Sequence, residues 1–226
     1  MRPRRRVSGT ALPLDRSDVD TDQIIPAQWL KRVERTGFAA GLFAAWRDDP
    51  DFVLNRPEHD GARILVAGPN FGTGSSREHA VWALEDHGFE AVVSPRFADI
   101  FRSNCTKVGL IPVEVDEGTG ERLLRAVEAD PALVVTVDVE RRTLVAPAAG
   151  IEATFPLDDF TRHRLLEGLD DVDLTLRHAE AIDDYERRRP SWLPSTNAAR
   201  SDGGAGAEET TVALRRKPAA RPPGTG

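Results

Sequence analysis

A pair of serines followed by an arginine stands where a helix is predicted to begin, and these side chains suit the binding of an anion. The segment 72–79 reads Gly-Thr-Gly-Ser-Ser-Arg-Glu-His, between an apolar strand at 63–67 and a helix at 77–87. A helix N-terminus carries free N–H groups and partial positive charge, and the planar arginine fork matches a carboxylate. The sequence therefore predicts an anion site, and a carboxylate is the ligand that suits it best.

Ser75 is the candidate catalytic base of this segment. A serine hydroxyl is a poor base in water, but its alkoxide is stabilised at a helix N-terminus beside an arginine. Ser75 could then remove a proton from a carbon next to an acid group. Ser75 and Glu78 also have the spacing of a capping box, which predicts that the helix begins at Ser75 or Ser76.

The glycine turn does not match the known phosphate loops. A P-loop needs a lysine after its last glycine, whereas Gly74 is followed by two serines, and the dinucleotide motif needs a glycine where Arg77 stands. The hydrolase elbow also fails, because no glycine lies two positions after either serine. A purely structural loop is the remaining alternative, and the arginine beside two serines argues against it.

The hydrophobic pattern predicts an α/β fold around this turn. The strands at 63–67 and 91–93 are continuously apolar, as buried parallel strands are, and they enclose the helix at 77–87 in a βαβ unit. Further strands are predicted at 7–14, 112–115, 133–139, 143–146 and 151–155, and further helices at 26–31, 38–46, 97–105, 120–130, 158–168 and 173–189.

Length and composition predict one folded domain, residues 1–194, followed by a disordered tail, residues 195–226. The tail is rich in Gly, Ala, Pro, Thr and Arg and has few large apolar residues. The chain has a formal net charge of −7, which argues against nucleic acid as its main partner. No apolar run approaches the ~20 residues of a membrane helix, so no membrane span is predicted. The basic start at 1–6 is not followed by the apolar region of about 7–15 residues that a signal peptide requires, so no signal peptide is predicted.

The single cysteine does not predict a metal site, and neither does the acidic loop at residues 15–22. Cys105 is the only cysteine, so no intrachain disulfide is possible and a reducing cytoplasm is the simple inference. Asp18, Asp20 and Asp22 alternate as in a calcium loop, but the glycine and the distal glutamate of that loop are absent. A capped loop before a short helix is the better interpretation.

Several motifs, in order along the chain, resemble the swivel domain of the aconitase superfamily. They are the segments 18–26, 74–79 and 94–101, with Asn104 after the last. Arg35-Thr36-Gly37-Phe38 with Leu42-Phe43, and the segment 51–55, narrow the resemblance to the family of bacterial 3-isopropylmalate dehydratase small subunits. The resemblance covers about residues 7–192 and implies a three-layer β/β/α swivelling domain.

The resemblance also implies an activity that this chain has only with a partner. The family isomerises 2-isopropylmalate and 3-isopropylmalate through 2-isopropylmaleate in leucine biosynthesis. A [4Fe-4S] cluster, held by three cysteines of the large subunit, acts as Lewis acid on the leaving hydroxyl. This chain is therefore expected to bind no cofactor of its own, and its single thiol agrees with that expectation.

The site residues are carried over from the motifs that match. Ser75 matches the catalytic base, and Ser76, Arg77, Thr21 and Asp22 match groups that bind or orient the substrate. One further substrate arginine is implied after Thr21 and Asp22, and the spacing leaves Arg32 and Arg35 as equal candidates.

Three other functions stay open at this stage. The same scaffold serves related hydro-lyases, namely homoaconitase and the citraconate and dimethylmaleate hydratases. A non-catalytic anion-binding module is a second alternative. RNA binding is a third, and the acidic charge of the chain disfavours it.

Overall fold

A computed structural model describes residues 1–31, 36–190 and 192–193. The chain divides into two compact units, Met1–Ala179 and Glu180–Gly226. The first unit contains the seven strands and the predicted site, and the described part of the second is most of one helix with the turn after it. The predicted tail at 195–226 lies outside the described residues, so its boundary stays a prediction.

The described residues contain seven strands and seven α-helices. The strands are β1 (Arg6–Leu14), β2 (Ile64–Ala67), β3 (Ala91–Ser94), β4 (Ile111–Glu114), β5 (Val134–Asp138), β6 (Thr143–Ala146) and β7 (Ile151–Thr154). The helices are α1 (Thr21–Ile24), α2 (Glu78–His87), α3 (Asp99–Val108), α4 (Glu117–Ala129), α5 (Asp159–Glu167), α6 (Asp171–Leu176) and α7 (Ala179–Arg188). Short 3-10 turns lie at Ala27–Lys31, Phe38–Gly41, Val53–Asn55, Pro57–His59 and Pro147–Ala149.

The strands form one mixed sheet in the order β4-β3-β2-β1-β5-β6-β7. Strand β1 joins its two halves, because residues 11–14 pair in parallel with β2 and residues 6–10 pair antiparallel with β5. Strands β2, β3 and β4 are parallel, with α2 and α3 as their crossovers, whereas β5, β6 and β7 are antiparallel neighbours. The predicted βαβ unit is confirmed.

The alternation of side chains along β2 explains why its sequence is continuously apolar. Leu65 and Ala67 point into a core that also holds the buried faces of α2 and α3. Ile64 and Val66 point into a second core, with the inner faces of α4 and of β5 to β7. Both faces of the strand are therefore covered, which agrees with the predicted α/β class and its β/β/α layering.

Two predicted helices are wrong in extent. The segment 38–46 is helical only as the 3-10 turn Phe38–Gly41, since Phe43 has φ +50°, which cannot continue a right-handed helix. The single helix expected at 173–189 is two helices, because α6 ends at Leu176 and α7 begins at Ala179. Within the described ranges, no helix has the length and apolar character required to span a membrane.

Candidate active site

A half-open cleft of about 230 Å³ lies where the glycine turn meets the start of α3. This volume is below the ~300–1,000 Å³ of drug-sized sites and suits a small acid. The cleft is lined by Thr21, by Gly72, Gly74, Ser75, Ser76 and Arg77 of the glycine turn, and by Ala98, Asp99, Ile100, Phe101 and Asn104 of α3 and its N-cap.

The acidic loop and the glycine turn are held together by hydrogen bonds between their backbones and side chains. Asp20 and Thr73 form a parallel β-bridge, and the Thr21 N–H donates to the Thr73 carbonyl at 2.9 Å. The hydroxyl of Thr21 donates to the Ser75 carbonyl at 3.0 Å. These bonds bring two segments that are distant in sequence to the same edge of the cleft.

The two glycines of the turn are required by its backbone conformation. Gly72 has φ +80° and Gly74 has φ +88°, in the left-handed region that residues with a Cβ rarely adopt. A Cβ on Gly72 would also overlap the ring of Phe101. The turn therefore packs directly against α3, and this contact closes one wall of the cleft.

The predicted capping box is absent, because α2 begins later than expected. Its first residue is Glu78, and Arg77 stands at the N-cap in an extended conformation without a capping side-chain bond. Ser75 and Ser76 precede the helix and are exposed. Among the described residues neither hydroxyl has a hydrogen-bond partner, so both remain available to a ligand.

A second helix N-terminus points its free N–H groups toward the same region. Ala98 is the N-cap residue of α3 and has no side chain that could cap the helix. Residues 98–101 line the same cleft as Ser75 and Arg77. Two helices without capping side chains thus begin at one small cleft, and their free N–H groups suit an anionic ligand. Each helix also has an acidic residue in its first turn, Glu78 and Asp99, and Asp99 lines the cleft.

Arg77 forms an ion pair with Asp22 across the cleft edge. The sequence suggested that a bound anion neutralises the positive charge of Arg77. In the structure, part of that charge is neutralised by the Asp22 carboxylate of the same chain. The Arg77 side chain is 18% exposed and that of Asp22 is 56% exposed. Because a guanidinium has five N–H donors, one carboxylate leaves others for a ligand while fixing the orientation of the fork.

His79 packs in an aromatic cluster on the first turns of α2. Its ring centroid lies 4.6 Å from that of Trp82 and 5.4 Å from that of Phe38. The Phe38 N–H also donates to the Asp86 carboxylate at 2.8 Å, which fixes the 3-10 turn at Phe38 along α2. His79 is absent from the lining of the cleft.

Arg32 and Arg35, the two candidates for a further substrate arginine, lie outside the described residues. The segment that contains them connects Lys31, the last residue of a 3-10 turn, with the region anchored at Phe38. The choice between the two arginines therefore stays open.

Cys105 is a buried thiol on α3 and does not suit a cluster ligand. It has no exposed surface, and burial raises the pKa of its thiol well above the ordinary value. Thiolates are the form that binds iron–sulfur clusters. In the described ranges no group of three His, Cys, Asp or Glu residues is placed to hold a metal ion.

The contribution of α3 to the cleft was not predicted as part of the site. Ala98, Asp99, Ile100, Phe101 and Asn104 all line it, although in the sequence this region contributed only to the resemblance. One signal was present in the sequence. Asn104 is a polar residue at the position where the pattern of Phe101 and Cys105 requires an apolar one.

Comparison with known families finds two matching sequence profiles. The profile of the aconitase C-terminal domain matches residues 1–118, which include Thr21, Ser75, Arg77 and Asn104. A second profile, which describes the C-terminal domain of 3-isopropylmalate dehydratase small subunits, matches residues 171–198.

Individual relatives are similar over nearly their whole length. A 3-isopropylmalate dehydratase small subunit from Rubrobacter xylanophilus is 62% identical over 194 residues, which are 86% of this chain and 98% of that relative. One from a Parafrankia species is 65% identical over 189 residues, 84% of this chain and 96% of that relative. A crystal structure of 3-isopropylmalate dehydratase from Methanocaldococcus jannaschii is 28% identical, covers 80% of this chain and 99% of that one, and superposes with a TM-score of 0.59.

Proposed function

Because this chain belongs to the family of 3-isopropylmalate dehydratase small subunits, within the aconitase superfamily, we propose that its cleft forms one half of a dehydratase active site. The family works in leucine biosynthesis as a hydro-lyase in which a small and a large subunit act together. The proposed substrate is 2-isopropylmalate, which is converted through 2-isopropylmaleate to 3-isopropylmalate.

The observation that carries the proposal is the position of Ser75. Its hydroxyl is exposed in the cleft, without a partner among the described residues, beside Arg77 and between the starts of α2 and α3. This arrangement of positive charge lowers the energy of a serine alkoxide. In the proposed step, the alkoxide removes the proton from the CH₂ next to a carboxylate while hydroxide leaves the neighbouring carbon. Addition of water with the opposite orientation then gives the isomer.

The carboxylates of the substrate are the groups that the rest of the cleft is suited to bind. Arg77 offers the donors that Asp22 does not occupy, and the uncapped helix starts offer backbone N–H groups. Ser76 is exposed beside them and supplies a further hydroxyl. Thr21 and Asp22 lie in α1. Thr21 orients the Ser75 peptide through a hydrogen bond, and Asp22 orients Arg77 through the ion pair. We propose Arg32 or Arg35 for a further carboxylate contact.

The proposed complex completes what this chain lacks. Cys105 does not fit a cluster ligand, so we place the [4Fe-4S] cluster on the large subunit. A single reduced thiol and a biosynthetic role together support a location in the cytoplasm.

The domain boundary after residue 194 is part of the proposal. Since the C-terminal family match stops at residue 198, most of the remaining chain is expected to be dispensable.

Reconstitution tests the proposal. The full chain alone should leave 2-isopropylmalate unchanged, and mixing it with a cluster-loaded large subunit should give measurable 2-isopropylmaleate, followed by absorbance. Ser75→Ala should remove turnover, by a factor of at least ~10² for the loss of a positioned base, without loss of assembly in gel filtration. Ser103→Ala is the matched control, because Ser103 is an exposed serine of α3 that does not line the cleft.

The same mixture identifies the substrate. Homoaconitate, citraconate and 2,3-dimethylmaleate are assayed beside 2-isopropylmalate at equal concentration. We expect 2-isopropylmalate to have the highest kcat/KM. An assembled complex that turns over none of these acids would overturn the proposed function. Normal turnover by the Ser75→Ala complex would instead show that the base is another residue.

A further inference from the structure

Asn104 is a buried residue whose amide has no hydrogen-bond partner among the described residues. It is 5% exposed, on α3 between the buried side chains of Phe101 and Cys105. A carboxamide has two N–H donors and one acceptor oxygen, and buried polar side chains normally have these groups hydrogen-bonded. Among the described residues, no hydrogen bond is made by the Asn104 side chain. Its amide atoms are not among the fully buried unpartnered atoms of the described residues, so they keep a small exposed surface with unused hydrogen-bonding capacity.

The small exposed surface of Asn104 opens onto the cleft. The residue lines the cleft together with Ser75, Arg77 and Thr21, although it comes from a different helix, α3. The buried hydroxyls of Ser94 and Thr136, by contrast, have partners within the fold. The Ser94 hydroxyl donates to the Gly68 carbonyl at 2.8 Å, and that of Thr136 lies 2.8 Å from the Ser8 hydroxyl. Asn104 differs from these residues in facing a space that a ligand can fill.

We propose that the Asn104 amide binds the substrate, donating an N–H to a carboxylate or hydroxyl oxygen of the hydroxy diacid. This inference rests on the proposed function and adds a side-chain contact from α3, to which only backbone N–H groups were assigned. The bound acid supplies the hydrogen-bond partner that the fold omits. Asn104 would thus bind the same acid as Ser75 and Arg77, which line the same cleft.

Replacement of Asn104 by leucine separates a binding role from a structural one. The two side chains have similar size, and leucine removes an amide that is unpartnered in the unliganded fold. Asn104→Leu should therefore keep or raise the Tm of the isolated chain. In the reconstituted enzyme it should raise KM for 2-isopropylmalate about 10- to 100-fold, the effect of losing a hydrogen bond to a charged group, with a smaller change in kcat.

Asn104→Asp provides a second variant. It keeps the shape but replaces the N–H donor with a carboxylate that repels the acid, so KM should rise further than with leucine. Ser94→Ala is the matched control, since it removes a buried polar group that does have a partner. That variant should lower the Tm and leave KM at the wild-type value.

The outcomes distinguish this inference from the proposed function. If the wild-type pair does not turn over 2-isopropylmalate, the proposed function fails. If the wild-type pair is active and both Asn104 variants keep the wild-type KM, the amide contacts only water and the inference is overturned. A lowered Tm in Asn104→Leu together with an unchanged KM would also overturn it, in favour of a structural role.

Discussion

The hydroxyl of Thr21 donates a 3.0 Å hydrogen bond to the backbone carbonyl of Ser75, a residue 54 positions later in the chain. Thr21 is 2% exposed, so its side chain is held by the surrounding fold. The bond fixes the peptide that carries the proposed base, whereas the Ser75 hydroxyl itself remains free for the ligand. The position of the base is therefore set from the first residue of α1.

Thr21→Val tests this arrangement. Valine has the same shape but cannot donate the bond, so the peptide of Ser75 gains freedom and kcat should fall about tenfold or more. KM should change less, because Arg77 still binds the acid. The measurement is the steady-state kinetics of the reconstituted enzyme. Thr175→Val is the control, since the Thr175 hydroxyl donates a similar 2.8 Å bond to the Asp171 carbonyl within α6. Equal losses of kcat in both variants would contradict the positioning role.

Arg77→Lys is predicted to weaken binding of the substrate without unfolding the chain. Lysine keeps the positive charge but lacks the planar fork that bonds two oxygen atoms at once. KM for 2-isopropylmalate should therefore rise at least tenfold. The ion pair with Asp22 is partly exposed and contributes little to stability, about 0–1 kcal/mol at most, so the Tm should change by only a few degrees.

The surface pair of Arg142 with Asp159 provides the control for that variant. Arg142 is 34% exposed and lies at the end of the turn before β6, outside the lining of the cleft. Arg142→Lys should leave both KM and kcat unchanged. A wild-type KM in Arg77→Lys would show that the guanidinium does not bind a carboxylate of the substrate.

The sequence predicted the central βαβ unit because its signals are local. Two glycines precede a helix, and two strands with uninterrupted apolar residues flank it, so hydrophobic periodicity alone locates β2, α2 and β3. The start of α2 was misplaced for a reason that is not local. The bridge between Asp20 and Thr73 is followed by bends at Gly74 and Ser75 and by extended backbone at Arg77, so the helix begins only at Glu78.

The second wall of the cleft could not be derived from spacing. Asn104 meets Ser75 and Arg77 in one cleft because β3 pairs with β2, which brings the helix that follows each strand to the same side. That pairing depends on the order of strands in the sheet. Within α3, the burial of Asn104 follows from its place between Phe101 and Cys105, but the absence of a partner appears only in the folded chain.

Gly72→Ala is predicted to destabilise the fold more than the same change at another glycine with positive φ. Alanine at φ +80° costs about 1–2 kcal/mol, and its Cβ would also overlap the Phe101 ring, which adds about 1–3 kcal/mol. Gly61 has φ +75° with open space around it, so Gly61→Ala has the backbone cost alone. Urea unfolding of both variants gives the difference in free energy. Equal losses would show that the turn does not need its close contact with α3.

Cys105 is predicted to be unreactive in the native chain. Its thiol is fully buried, and burial raises its pKa, so the reactive thiolate is scarce and inaccessible. A chromogenic disulfide reagent should label none of the native protein within minutes and one thiol per chain in denaturant, since the sequence has a single cysteine. Rapid labelling of the native chain would contradict the burial of this face of α3.

The N-cap of α5 predicts a specific loss of stability in acid. Hydrogen bonds from the backbone N–H and then the hydroxyl of Thr161 lower the pKa of Asp158 below its ordinary value of 3.8. The stabilisation from this carboxylate is therefore complete above pH 3.8 and is lost as the pH falls through the lower pKa of the folded state. The Tm of the isolated chain should accordingly begin to fall near pH 3.8 and continue to fall as the pH is lowered through that lower pKa.

Asp158→Asn should flatten that dependence, because asparagine still accepts a hydrogen bond at the N-cap but does not titrate. At neutral pH the variant should have a slightly lower Tm than the wild type, since the interaction of the carboxylate with the helix dipole is lost. The Tm values of the variant and the wild type should become equal in acid, where Asp158 is protonated. Asp183→Asn, an exposed residue within α7 that caps no helix, should instead follow the wild-type curve. A constant difference in Tm between Asp158→Asn and the wild type across this pH range would show that the carboxylate does not titrate with the cap.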